Sequence, residues 1–137
     1  MNIKKSITVK GSVNADVNLL TDGFRSTQVE LANASASSKF ISSQDKALNR
    51  FLFWVNNDIV PGTYNFEDTN EVQATYIHAC DGYQLNYRPD SGSITILSVD
   101  FINSKIQATF NFTTQPGDPY PELTVKNGLI DISGRQN

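Results

Sequence analysis

Apolar and polar residues alternate with a period of two along most of this chain, and no window carries an apolar stripe at helical spacing. Successive side chains on a strand point to opposite faces, so this pattern restricts the chain to an all-β fold of half-buried strands. From Arg25 to Asn33, Thr27, Val29 and Leu31 oppose Ser26, Gln28 and Glu30. Residues 47–57 differ: Leu48, Leu52 and Trp54 lie on one parity and Phe51, Phe53 and Val55 on the other. Two apolar faces mark a central strand and assign Trp54 to the core.

Turn chemistry divides the rest. Pro61-Gly62 predicts a type II turn with a strand starting near Thr63. Val72, Ala74, Tyr76, His78 and Cys80 share a face, and Asp81-Gly82 predicts a hairpin tip leading into Tyr83, Leu85 and Tyr87. Asp90-Ser91-Gly92 and Asn103-Ser104-Lys105 predict two further turns of a meander, whose next strand carries Ile106, Ala108, Phe110 and Phe112 on one face. The loop QPGDPYPE holds three of the five prolines and must be a connection, because proline cannot donate to a ladder. In ELTVKNGLIDI the apolar parity shifts across Asn127-Gly128, which predicts a β-bulge. Only SSKFISSQDKALNR leaves room for a helical turn, with Ser43 as N-cap. These readings give about nine strands in one antiparallel two-sheet β-sandwich spanning residues 1–137, with a β-barrel as the alternative. The 14 aromatic residues are enough to fill the space between two sheets.

Composition excludes several functions. Asn, Ser and Thr supply about 38 residues against 11 Lys and Arg, and the net charge is −3. Nucleic-acid binding draws its affinity from clustered cations, so nucleic acid is not an expected partner. One His and one Cys cannot build a Cys/His zinc site or an internal disulfide, and no apolar run reaches the ~18 residues of a membrane-spanning helix. Lys4 and Lys5 resemble a signal n-region without an apolar stretch after them. The expected location is therefore extracellular or envelope if an export segment was removed, and cytoplasmic otherwise. The sequons at Asn33 and Asn111 are expected chance matches in a chain this rich in Asn and Thr.

The run GSITILSVDFINSKIQATFNFTT, the later LTVKNGLIDI and the turn VPGTYNF resemble small β domains of unknown function in bacterial surface lipoproteins. The likeness spans about residues 59–132, with Ala108 standing where those domains usually carry Gly and no lipobox Cys in the N-terminal third. It implies an all-β fold and an exported relative, and it implies no active site.

No catalytic or metal-binding residues are expected, and no cofactor. His78 lies two residues from both Tyr76 and Cys80, but side chains at that spacing stand about 6.5–7 Å apart, too far for a Cys-His pair. Asp81, Asp90, Asp100 and Asp118 sit at predicted turns and lack the spacing of a calcium loop, so Asx turns account for them. Tyr76, Tyr83 and Tyr87 on the predicted hairpin, with Arg88 beside it and Tyr120 in the Pro-rich loop, form the candidate binding residues, since Tyr and Arg are favoured at interfaces. The expectation is a non-enzymatic binding module with an unknown protein or glycan partner. The alternatives are an immunity or inhibitor protein that neutralises a basic target, and a secreted toxin that inserts into membranes.

Overall fold

A computed structural model describes residues 6–117 and 120–136. Lys4, Lys5 and Asp118, which figure in the readings above, lie outside the described residues. Eleven strands form: β1 (Ser6–Val17), β2 (Phe24–Ser26), β3 (Gln28–Asn33), β4 (Ser38–Gln44), β5 (Arg50–Asn56), β6 (Gly62–Asn65), β7 (Val72–Cys80), β8 (Tyr83–Tyr87), β9 (Ser91–Asp100), β10 (Lys105–Thr114) and β11 (Leu123–Arg135). A 3-10 turn, Phe101–Asn103, joins β9 to β10. The fold is all-β, and every strand pairing is antiparallel.

The hydrogen-bonded order is β6-β9-β10-β11-β1-β3-β4-β5-β7-β8, with β2 on the side of β1. This sheet curls on itself into two facing layers, between a sandwich and a half-open barrel. β1 belongs to both layers: Ser6, Ile7 and Thr8 pair with β3, whereas Val9 to Val17 pair with β11. The register shifts between Lys10 and Gly11, the local bend that a strand needs to turn a sheet corner. At Gly11 an added Cβ would sit 2.2 Å from the Asp131 carbonyl oxygen, so only glycine allows this approach. We call β3-β4-β5-β7-β8 the β5 layer and β6-β9-β10-β11, with β2 and the rest of β1, the β10 layer.

Phenylalanines from both layers meet in the middle. The Phe51 ring of β5 lies 5.3 Å from Phe110 and 6.3 Å from Phe112 of β10, and 4.8 Å from Phe24 of β2. Phe53 meets Phe110 at 5.0 Å. Each is fully buried, a contribution of about 1.5–3 kcal/mol per side chain. The predicted inward set Ile106, Ala108, Phe110 and Phe112 is buried, as are Val72, Ala74 and Tyr76.

Several local expectations hold. β7 and β8 close a hairpin at Asp81-Gly82, with Cys80 opposite Tyr83. Asn127 takes a left-handed backbone (φ 53°), and the ladder shifts register between Phe110 and Phe112 opposite it, which is the predicted bulge. At Gly128 a Cβ would lie 2.5 Å from the Phe110 ring, so the Asn-Gly pair both bends the strand and makes room for a core ring.

Others are corrected. Residues 25–33 break into β2 and β3 because Thr27 is exposed and Ser26 turns inward, its hydroxyl bonding the Gln44 carbonyl at 2.7 Å. The stretch assigned a helical turn is mainly β4. Ser43 caps no helix there; it is buried and bonds the Phe51 carbonyl across the ladder. Gly62, with φ 152°, starts β6 rather than completing a type II turn, whose second central residue takes φ of about +80°. Gly92 is not in a turn either. It sits inside β9, where a Cβ would lie 2.4 Å from the Phe112 Cα, and the chain crosses between layers at Arg88–Asp90 instead.

Candidate functional site

The Tyr-bearing hairpin does not present its rings together. Inward parity on β7 and β8 buries Tyr76 against Phe51 at 4.9 Å and buries Tyr87 beneath Tyr120 at 5.3 Å. The Tyr87 hydroxyl donates to the Pro121 carbonyl at 3.1 Å, tying the β8 end to the loop before β11. Tyr83 shares that parity but lies past the end of the core, 61% exposed. The five candidates thus separate into a buried pair (Tyr76, Tyr87), a half-buried clasp (Tyr120) and two exposed groups, Tyr83 and Arg88.

His78 comes closer to a neighbour than strand spacing suggests, because the Tyr76 ring carries its hydroxyl to 3.0 Å from His78 Nδ1. Burial pushes the Tyr76 hydroxyl well above its usual range, reinforced by the Asp45, Tyr87 and Cys80 charges, and holds the His78 imidazole below its usual value. No hydrogen bond joins Cys80 to His78 among the described residues. His78 and Cys80 are both partly buried.

Trp54 is where the structure departs most from the sequence reading. β5 is central in its layer, between β4 and β7; Phe51, Phe53 and Val55 enter the core between the layers, while Leu52, on the opposite parity, is also buried. No further layer of the described residues covers the outer face, and Trp54 is half-buried there, pairing across the ladder with Phe40 on β4 and Gln73 on β7. Its ring lies 5.1 Å from Phe40 at 39°.

Two clefts meet at this indole. One, of about 290 Å³, is bounded by Trp54, Phe66, Gln73, Thr75, Arg88 and Pro89. The other, of about 260 Å³, is bounded by Trp54, Ser37, Asn56, Asn70, Glu71 and Gln73. Gln73 is the polar side chain common to both. The side-chain amides of Gln73 and Asn70, the Glu71 carboxylate and the Arg88 guanidinium make no side-chain hydrogen bond or ion pair among the described residues. A ligand therefore finds an aromatic surface with donors and acceptors around it that the fold has not used. Farther along the same outer face, Gln28, Glu30, Ser42, Gln44 and Arg50 line another cleft of about 260 Å³.

A more voluminous cleft, about 640 Å³, lies on the β10 layer beside the β1–β2 loop. Two of its four charged groups, Arg25 and Asp16, are engaged with each other, while Asp22 and Lys126 make no side-chain hydrogen bond or ion pair among the described residues. Arg25 donates to the Ala15 and Phe24 carbonyls at 2.9 and 2.8 Å and pairs with Asp16 at 3.3 Å. Asn127 bonds the other Asp16 oxygen at 2.9 Å, and these two contacts hold the Asp16 carboxyl below its usual range, Asn127 more strongly. These contacts brace the β1–β2 loop, and no aromatic side chain lines this cleft, unlike the Trp54 face.

A family model described as a domain of unknown function (DUF6252) matches residues 9–131. The chain belongs to this family. The DUF6252 span runs from within β1 to within β11 and contains Trp54, both clefts beside it and all five tyrosine and arginine candidates. No curated protein and no solved structure matches the chain. Membership of DUF6252 agrees with the likeness to uncharacterised β domains and assigns no activity.

The sequence reading missed Trp54, Gln73, Asn70 and Glu71 as a group. The signal was present in FLFWVNN: in a fold of two layers only one parity of a strand reaches the core, so the second apolar parity had to face outward.

Proposed function

We propose that this DUF6252 protein is a non-enzymatic binding module that works at the bacterial envelope or outside the cell, through the outer face of the β5 layer. The observation that carries this reading is the half-buried Trp54 at the meeting of two clefts rimmed by uncommitted polar side chains. An aromatic ring that pays little entropy on contact, surrounded by groups that fix orientation, is the composition of a recognition surface. The side chains project from paired strands, so the surface is preorganised. The envelope location rests on the Asn/Ser/Thr-rich, Lys-poor surface and on the likeness of VPGTYNF and LTVKNGLIDI to surface lipoprotein domains.

The test compares wild type with Trp54→Ala, first confirmed to be folded, for retention by isolated envelope material and by spent growth medium. Retention of wild type that falls at least about tenfold in the variant supports the reading. No retention, or equal retention of both proteins, refutes it.

A further inference from the structure

We infer that the Trp54 face binds a neutral saccharide, with a sugar ring stacked on the indole and its hydroxyls bonded to Gln73 and the polar groups of the flanking clefts. This inference rests on the binding reading above and names its ligand.

Three features of the face select this class. The first is charge. One carboxylate, Glu71, stands on one side of the indole and one guanidinium, Arg88, on the other, while Ser37, Asn56, Asn70, Gln73 and Thr75 supply only neutral groups. A site lined this way has no net field to hold a phosphate, an acidic polysaccharide or a basic peptide. The second is the type of donor and acceptor. Side-chain amides, a carboxylate and a guanidinium are planar groups offering paired positions, which match the adjacent hydroxyls of a pyranose. A lipid tail would leave these groups unpaired, which is costly on desolvation.

The third feature is shape. The clefts are shallow, about 290 and 260 Å³, and join across a single ring. A pocket for a drug-sized molecule is usually larger and more enclosed. A sugar needs less, because its C–H face lies on an aromatic plane and its hydroxyl edges point sideways into the flanking spaces. The continuation of polar side chains along the outer face to Gln28, Ser42, Gln44 and Arg50 provides room for further sugar units.

Trp54 is the only tryptophan in the chain, so tryptophan emission, excited beyond the absorption of the five tyrosines, reports on this site alone. The experiment titrates the full chain with cellohexaose, xylohexaose, mannohexaose and chitohexaose, with polygalacturonate as the anionic comparison. The expected result is a saturable emission shift with at least one neutral hexasaccharide, insensitive to salt because no net charge is involved. Gln73→Ala, an exposed change that leaves the fluorophore in place, should weaken that titration about three- to tenfold. In affinity electrophoresis on the matching polysaccharide, Trp54→Phe should keep retention and Trp54→Ala should lose it.

Silence of the emission with all four neutral oligosaccharides overturns the saccharide inference, as does a response only to polygalacturonate that salt abolishes. If Trp54-dependent retention of envelope material persists while the oligosaccharides are silent, the binding reading stands and the saccharide inference fails. If both are absent, both fail.

Discussion

Leu48 carries a left-handed backbone, φ 72°, with its side chain 58% exposed. A leucine in this conformation costs about 1–2 kcal/mol, and little burial offsets it. The conformation persists because the Asp45 carboxylate fixes the turn, accepting from the Ala47 and Asn49 amides at 3.0 and 2.9 Å. Leu48→Gly should therefore raise stability by up to about 1 kcal/mol, after the added chain entropy of glycine is subtracted. Urea denaturation checks this, and a lower midpoint would show that the Leu48 side chain contributes more packing than its exposure suggests.

His78 belongs to the same scale. Burial depresses its pKa in the folded state, with the Asp45 charge acting in the opposite direction. The unfolded chain therefore binds the proton more readily, and stability is fully present above the unfolded value near 6.5. It declines as pH falls through that value and levels off below the folded pKa. His78→Gln should flatten the dependence of the urea midpoint on pH between about 7.5 and 5.5. Parallel profiles for wild type and variant would assign the dependence to other groups.

At the scale of elements, one buried amide ties the β4–β5 turn to β7. Asn49, 1% exposed after the β4–β5 turn, donates to Asp45 Oδ2 at 3.0 Å and accepts from the Ala79 amide of β7 at 2.9 Å. Asn49→Ala leaves the Ala79 N–H without its partner, and the expected loss is about 2–3 kcal/mol. Hydrogen exchange at Ala79 should accelerate along with it, whereas a drop in stability with Ala79 still protected would place the defect in the turn. None of this was legible in the sequence, because the partners lie 30 residues apart. By contrast, the Asn127-Gly128 bulge and the Asp81-Gly82 tip were legible, since each depends on backbone angles that neighbouring residues set. β4 was missed for a local reason as well: SKFISSQ has weak strand propensity, and its inward Ser43 is tolerated only because the Phe51 carbonyl accepts its hydrogen bond.

On the scale of the whole molecule, Phe51 connects the two layers, touching rings on β2, β7 and β10. Phe51→Ala should cost about 3–5 kcal/mol and broaden the unfolding transition, while Phe51→Leu should cost clearly less. Thermal denaturation followed by near-ultraviolet circular dichroism measures both. A loss below about 1 kcal/mol for the alanine variant would mean that the layers hold together without this contact.

The sequence by itself determined the all-β class, most inward parities, the hairpin tip and the bulge, because period-two alternation and turn residues act over a few positions of chain. Tertiary structure decided that β1 serves both layers, that β6 leaves β5 to pair with β9, and that Tyr76 and Tyr87 are fully buried while Trp54 lies half-buried on the outer face. Alternation tells which residues share a face. Whether a second layer covers that face depends on residues distant in the chain, so parity alone could not separate the core side of β5 from the side that meets solvent.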